Sequence, residues 1–292
     1  MQAFHTNWTR PFFAKHMGEY YIEDFELLTT ILSALKWREK NGDIKMVTDS
    51  IGAKYYRDLG MESIWNLGID DTLEDDMNPN IDSNTFWAAG KIFALNKQVG
   101  PCVMIDTDFI VWTDIRNILE QDELAVIHKE DLIEDVYPDK SRFKVNSSYK
   151  YSEAWDWTEK ACNTAFAFFK DDDFRKYYSD KSIDFMNNVT GEDPLIYMVF
   201  AEQRLLSMCA KEKKINVHAL SDLDSLFNSN QQSFTHIWGH KRYIRSNPIV
   251  REAFCKKCIN RIKKDFKEYY DIVRNIECLK QYCEDDIEVN II

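Results

Sequence analysis

The stretch Cys102-Val-Met-Ile-Asp106-Thr107-Asp108 constrains this chain more than any other, because an apolar run of strand length stops abruptly at two acids. Uninterrupted Val, Ile and Met character, without polar alternation, suits a strand covered on both faces, as in the middle of a parallel sheet. Carboxylates at the end of such a strand are costly to bury unless a cation neutralises them. In extended backbone, residues i and i+2 point the same way, so Asp106 and Asp108 converge. The carboxyl ends of strands in an open α/β sheet form the crevice where ligands bind. Paired carboxylates there suit a hard divalent cation, Mn²⁺ or Mg²⁺, with phosphate oxygens completing its coordination.

The rest of the chain supports such a sheet. Met1 to His5 reads as a first strand, followed by a candidate ligand-binding loop; His5 and Thr6 are assigned to ligand binding there. Phe25, Leu28, Ile31, Leu32 and Leu35 recur at helical spacing up to Gly42. Ile44 to Val47 is a second strand ending at Asp49, a candidate contact for a nucleobase or simply a turn aspartate. Gly52 to Leu59 forms a helix closed by Gly60, and Ser63 to Trp65 is assigned a third strand. A helix capped by Ser83 carries Phe86, Ala89, Gly90 and Phe93. Strands alternating with helices through the first 110 or so residues predict a doubly wound, mostly parallel α/β sheet. Beyond it, Leu124 to His128 and Ala165 to Phe169 read as strands, and the polar segment from Lys129 to Ser152 as a lid. Pro194 to Cys209 and Val250 to Tyr282 read as helices. The simplest division is one α/β domain over 1–245 with a helical extension, 246–292, packed on it.

Composition narrows the partners. With 49 acids against 37 bases the net charge is −12, which argues against a nucleic-acid or anionic-membrane surface as the main partner. No apolar run approaches the length of a membrane span, and the amino terminus has no signal-peptide pattern, so the expected location is cytoplasmic. The 7 cysteines are scattered and predict no disulfide framework. Cys255-Lys-Lys-Cys258 has zinc-knuckle spacing without a second pair, and reads as two helix neighbours.

Several segments resemble the core of GT-A glycosyltransferases, most closely the glycogenin and bacterial lipopolysaccharide galactosyltransferase group. They are Phe86-Trp-Ala-Ala-Gly-Lys91-Ile92; Val103-Met-Ile-Asp106-Thr-Asp108-Phe-Ile-Val-Trp-Thr-Asp-Ile115; Cys162-Asn163-Thr-Ala-Phe-Ala-Phe-Phe169; Gly191-Glu192-Asp193-Pro194; and His236-Ile-Trp-Gly239-His240-Lys241. They cover most of residues 83–242 in the family's order. The resemblance implies a GT-A-like fold and a hexosyl transfer from a nucleotide-diphosphate sugar, usually a UDP-hexose. The acceptor, whether carbohydrate, lipid-linked or protein, is left open. It also implies Asp106 and Asp108 as metal ligands, with His236 or else His240 as the third. Lys241 is implied at the diphosphate, Lys91 at the donor sugar or phosphate, and Asn163 and Asp193 in the sugar and acceptor pocket. Asp193 before Pro194 reads equally well as a helix cap. The last motif has one residue fewer between Gly239 and Lys241 than the family's. Alternatives to a transferase are an inactive nucleotide- or sugar-binding relative and a sugar nucleotidyltransferase, although the glycine-rich loop of the latter is missing after the first strand.

Overall fold

The computed structural model describes residues 1–228 and 230–283. Its elements in chain order are β1 (Gln2–Asn7), α1 (Asp24–Lys40), β2 (Ile44–Thr48), α2 (Ser50–Asp58), β3 (Ile69–Asp70), α3 (Ala89–Asn96), β4 (Cys102–Ile105), β5 (Phe109–Val111), β6 (Leu124–Glu130) and β7 (Ala161–Phe169). There follow α4 (Asp172–Asn188), the long helix α5 over residues 196–213, β8 (Val217–Ala219), β9 (Phe234–His236), α6 (Pro248–Asp265) and α7 (Lys267–Asn275). Single-turn helices join them.

The main sheet has the order β3-β2-β1-β4-β7-β6-β8. Strands β1, β2, β3 and β4 run parallel, β7 is antiparallel to both β4 and β6, and β6 pairs parallel with β8. With helices on both faces, this is the doubly wound, mostly parallel sheet that the residue pattern predicts. The pure apolar run of β4 is explained by its place at the centre, where all four of its residues are buried. Two apolar layers flank the sheet, one through α1, the other through α3, α4 and α5.

Local expectations fail where tertiary contacts intervene. Residues 62–64 form a 3₁₀ turn, not a strand, and the third strand is β3. Trp65 is pulled into the core, donating to His5 and meeting Tyr56 edge-on, while Gly68 takes a positive φ of 76° before β3. The helix expected from Ser83 begins only at Ala89, because the Asp82 carboxylate gathers Asn84 and Thr85 into a turn. The expected lid is pinned down: Phe143 and Tyr149 are buried, and backbone bonds join Asn146 to Asn188 and Thr190 to Lys144.

The carboxyl-terminal helix is broken at Phe266, whose φ of −141° and ψ of 57° end α6 and start α7. Cys255, Cys258, Ile259, Ile262 and Val273 join the same apolar cluster as α1, so residues 246–283 share the core of the preceding domain. The remainder of the expected extension, 284–292, lies outside the described residues. Burial pushes the Cys258 thiol up to about 12 and that of Cys255 higher still, the behaviour of inert core cysteines. Among the described residues no helix is long and apolar enough to cross a membrane.

Candidate functional site

At the end of β4 the backbone N–H of Asp106 still donates to Ala165 of β7 (2.8 Å), and that of Phe109 to the Asp106 carbonyl (3.0 Å). This tight turn swings the chain into β5, which pairs antiparallel with β9 in the register Phe109↔His236. The Ile237 N–H donates to the Asp108 carbonyl at 3.2 Å, locking the turn to the end of β9. The residues 236 and 108 are thus brought together by a two-stranded ribbon that no short-range pattern announces.

Asp106, Asp108 and His236 each offer a ligand atom within 4.8 Å of the others. His236, not His240, is the imidazole of this cluster. Asp108 and His236 are buried, and Asp106 is partly exposed. His236 Nε2 lies 3.8 Å from an Asp108 oxygen, and its Nδ1 is buried without a hydrogen-bond partner. Burial lowers the imidazole to about 4, against the pull of Asp108, so the ring is neutral at pH 7. A neutral imidazole and two carboxylates form a donor set suited to a hard or borderline divalent ion, and Nε2, the nitrogen nearest Asp108, makes no hydrogen bond among the described residues. The residues fit the metal that the motif resemblance implies.

Two lysines support the cluster. Lys241 Nζ lies 3.0 Å from Asp108 and 3.2 Å from Glu26. Burial alone would raise the Asp108 carboxyl, but Lys241, His236 and Lys91 outweigh it and hold it below the usual carboxylate range. Lys91 Nζ lies 2.6 Å from Asp106, pairs closely with Glu202 and donates to the Thr164 carbonyl at 3.3 Å. Its three donors are therefore engaged by Asp106, Glu202 and the Thr164 carbonyl. Burial still pushes Asp106 up to about 6 despite Lys91, with Asp108 and Glu202 acting in the same direction.

Glu202 escapes a reading of the sequence. It is buried, accepts from Thr164 Oγ1 at 2.6 Å, and sits on a π-helical turn over Phe200–Arg204 within α5. Such turns recur at functional sites. The signal available was one acid inside the apolar run Met198-Val-Phe-Ala-Glu202.

Of the other expected site residues, His5 and Asp49 are engaged within the fold. His5 is fully buried, with Nε2 against Ser33 Oγ (2.9 Å) and Nδ1 accepting from Trp65 (3.2 Å), so neither ring nitrogen remains for a ligand. Ser33 passes the chain on to the Phe109 carbonyl at 2.5 Å. Asp49 caps α2 by accepting from Gly52 N–H (2.9 Å) and ties down Thr9 through its N–H (2.6 Å) and hydroxyl (3.1 Å), so both its oxygens are committed. Gly52 is required there, because a Cβ would collide with Thr48 and press on Asn7. Thr6 is partly buried, with its hydroxyl unpartnered. Asn163 donates to Glu130 at 2.8 Å and accepts from the Ala165 N–H at 3.1 Å. Asp193 accepts the N–H groups of Leu195 (3.0 Å) and Ile196 (3.2 Å) on one oxygen, capping α5.

Beside the cluster, a cavity of about 200 Å³ is lined by Asn7, Trp8, Phe12, Tyr20, Thr107 and Lys241, among others. Asn7 at the end of β1 and Trp8 just after it line this cavity, and His5 does not.

Glycosyltransferases are prominent among the solved structures to which the chain is similar. The apo form of mouse xyloside xylosyltransferase 1 shares 10% identity over 75% of this chain and 84% of that one, with a TM-score of 0.39. The galactosyltransferase LgtC, in complex with donor and acceptor sugar analogues, shares 10% over 70% and 71%, with a TM-score of 0.34. A putative glucose-1-phosphate thymidylyltransferase from Bacillus anthracis shares 10% over 86% and 95%, with a TM-score of 0.41. Likenesses of this depth concern the course of the chain and carry no chemistry across. No curated protein matches the sequence. A family profile does match residues 1–276, nearly the whole of the described chain, and by it the chain belongs to DUF6734, a family of unknown function.

Proposed function

We propose that this chain is a metal-dependent glycosyltransferase that takes a sugar from a nucleotide-diphosphate donor, a UDP-hexose being the first candidate. The observation that supports this reading most is the convergence of Asp106, Asp108 and a neutral His236 at the carboxyl end of the central strand. A divalent ion, Mn²⁺ or Mg²⁺, held by these three residues would supply Lewis-acid stabilisation of the departing diphosphate. Lys241, with 31% of its side chain exposed beside the cavity, adds a fixed positive charge for the same leaving group. The rings of Trp8, Phe12 and Tyr20 offer a stacking surface for the base. Lys91 and Glu202 act as positioning residues that hold Asp106 in place. Asn163 and Asp193 remain candidates for the sugar and acceptor pocket; the second carboxylate oxygen of Asp193 is uncommitted by its cap.

One observation favours the inactive binding relative as second reading: Lys91 and Lys241 already neutralise both carboxylates without a metal. A nucleotidyltransferase is disfavoured by the segment after β1, Asn7-Trp-Thr-Arg-Pro11, which has no glycine to bring backbone N–H groups onto a triphosphate. The test is release of nucleoside diphosphate from a panel of UDP- and GDP-sugars with Mn²⁺, using Asp108→Ala as the blank. Turnover lost in the blank supports the transferase. Metal-dependent UDP binding without turnover, with or without simple acceptors, supports the binding relative.

A further inference from the structure

A second cavity, of about 610 Å³, lies between α6 and the β5–β9 ribbon. Its volume falls within the roughly 300–1,000 Å³ typical of small-molecule sites. Ile110, Trp112 and Phe254 give it an apolar floor, and Lys257, Arg261 and Lys264 line it from one face of α6 at i, i+4 and i+7. Among the described residues no aspartate or glutamate lines it. The nearby Asp265 is already engaged by Lys36 and Arg261, each at 2.5 Å. The Arg261 guanidinium also stacks over the Trp112 ring, 5.0 Å from its centroid, joining the rim to the floor. Among the described residues Lys257 and Lys264 have no ion-pair partner, and both are exposed. The cavity is distinct from the carboxylate–imidazole cluster: Lys91, Asp106, Asp108, His236 and Lys241 are not among its lining residues.

We propose that this groove binds an anionic amphiphile, a single acyl chain ending in a phosphate or carboxylate, with the chain on the aromatic and aliphatic floor and the head group on Lys257, Arg261 and Lys264. Charge complementarity selects the occupant. A neutral apolar ligand would leave Lys257 and Lys264 uncompensated beside an Arg261 already paired with Asp265, whereas a small anion would forgo the floor. The assignment is independent of the proposed transferase activity.

The experiment is calorimetric titration of the full chain with dodecyl phosphate below its micelle concentration, against inorganic phosphate and the neutral dodecyl maltoside. The expected result is saturable one-to-one binding of dodecyl phosphate, at least tenfold tighter than either control. The double variant Lys257→Glu/Lys264→Glu, altered only at exposed positions, should weaken it at least tenfold with an unchanged melting temperature. Trp112→Ala, removing part of the floor, should weaken dodecyl phosphate and leave inorganic phosphate binding unchanged. Absence of saturable binding would overturn the proposal. So would equal affinity for the maltoside, indifference to the double charge reversal, or binding confined to phosphatidylglycerol vesicles.

Discussion

Two buried polar networks meet at Phe109, and they differ in one respect. On one side His5, Ser33 and Trp65 form a closed chain in which both imidazole nitrogens have partners, ending on the Phe109 carbonyl. On the other, the ring of Phe109 packs edge-on against His236, whose Nδ1 is buried without a partner and whose Nε2 only approaches Asp108. Both histidines are neutral, both are buried, and both lie in strands. Burial and residue type therefore do not separate structure from function here. What separates them is unused bonding capacity: a closed network stabilises the fold, and an open one keeps valence for a ligand.

The contrast breaks most severely at Glu202, the buried support of the open network. Glu202→Ala leaves the Lys91 ammonium with one carboxylate in a buried site, and urea unfolding should show a loss of about 3 kcal/mol. Glu202→Gln should retain most of the stability and weaken Mn²⁺ binding by about 10–100-fold, the usual cost of disturbing a ligand's support. Loss of neither would remove Glu202 from the site.

Asp108→Ala should behave in the opposite sense. Mn²⁺-dependent UDP binding should fall by at least about 100-fold, roughly 2.7 kcal/mol, while the melting temperature changes little because Lys241 keeps Glu26. Calorimetry with undiminished affinity would disprove the metal assignment.

The closed side gives the mirror result. Asp49→Ala removes a helix cap and the tie to Thr9, and should cost about 1–2 kcal/mol of stability. UDP affinity, measured on the folded fraction, should not change. A selective loss of UDP binding would return Asp49 to the ligand site.

The smallest effect is a pH slope. Burial lowers the His5 imidazole to about 3, well below its unfolded value. Above the unfolded value of about 6.5 the ring is neutral in both states, and its full contribution is present. As pH falls below that, the unfolded chain gains a proton that the folded one refuses, so stability declines between about 6.5 and 3. Between pH 7 and 5.5 the loss from this group should be about 1.3 kcal/mol. Denaturation of His5→Gln across that range should show a flatter slope, and an identical slope would mean that His5 is protonated in the fold.

Much of the architecture was legible because it is local. The apolar run of β4, the 3.6-residue spacing of α1 and the alternation of strands and helices are each set by short-range burial patterns. The acid pair was legible as two carboxylates at the end of that apolar run, although the turn after β4, and not a strand period, brings them together. Ser63 to Trp65 was misread because a short Ile-Trp pair between polar residues fits a strand as well as a turn, and only the core it enters decides between them. Asp49 stayed open between a nucleobase contact and a turn, and His5 was assigned to a ligand, because residue type does not disclose whether a valence is already spent.

The sequence by itself determined the sheet, the position of its central strand, and two carboxylates at that strand's carboxyl end. Tertiary structure alone decided that His236 rather than His240 joins them, that Lys91 is locked to Glu202 from 111 residues away, and that Lys241 reaches Asp108. The physical reason is range. Backbone periodicity and apolar burial act over a few residues, whereas a site is built by Coulomb and hydrogen-bond terms that act through space and become strong only once the fold has excluded water.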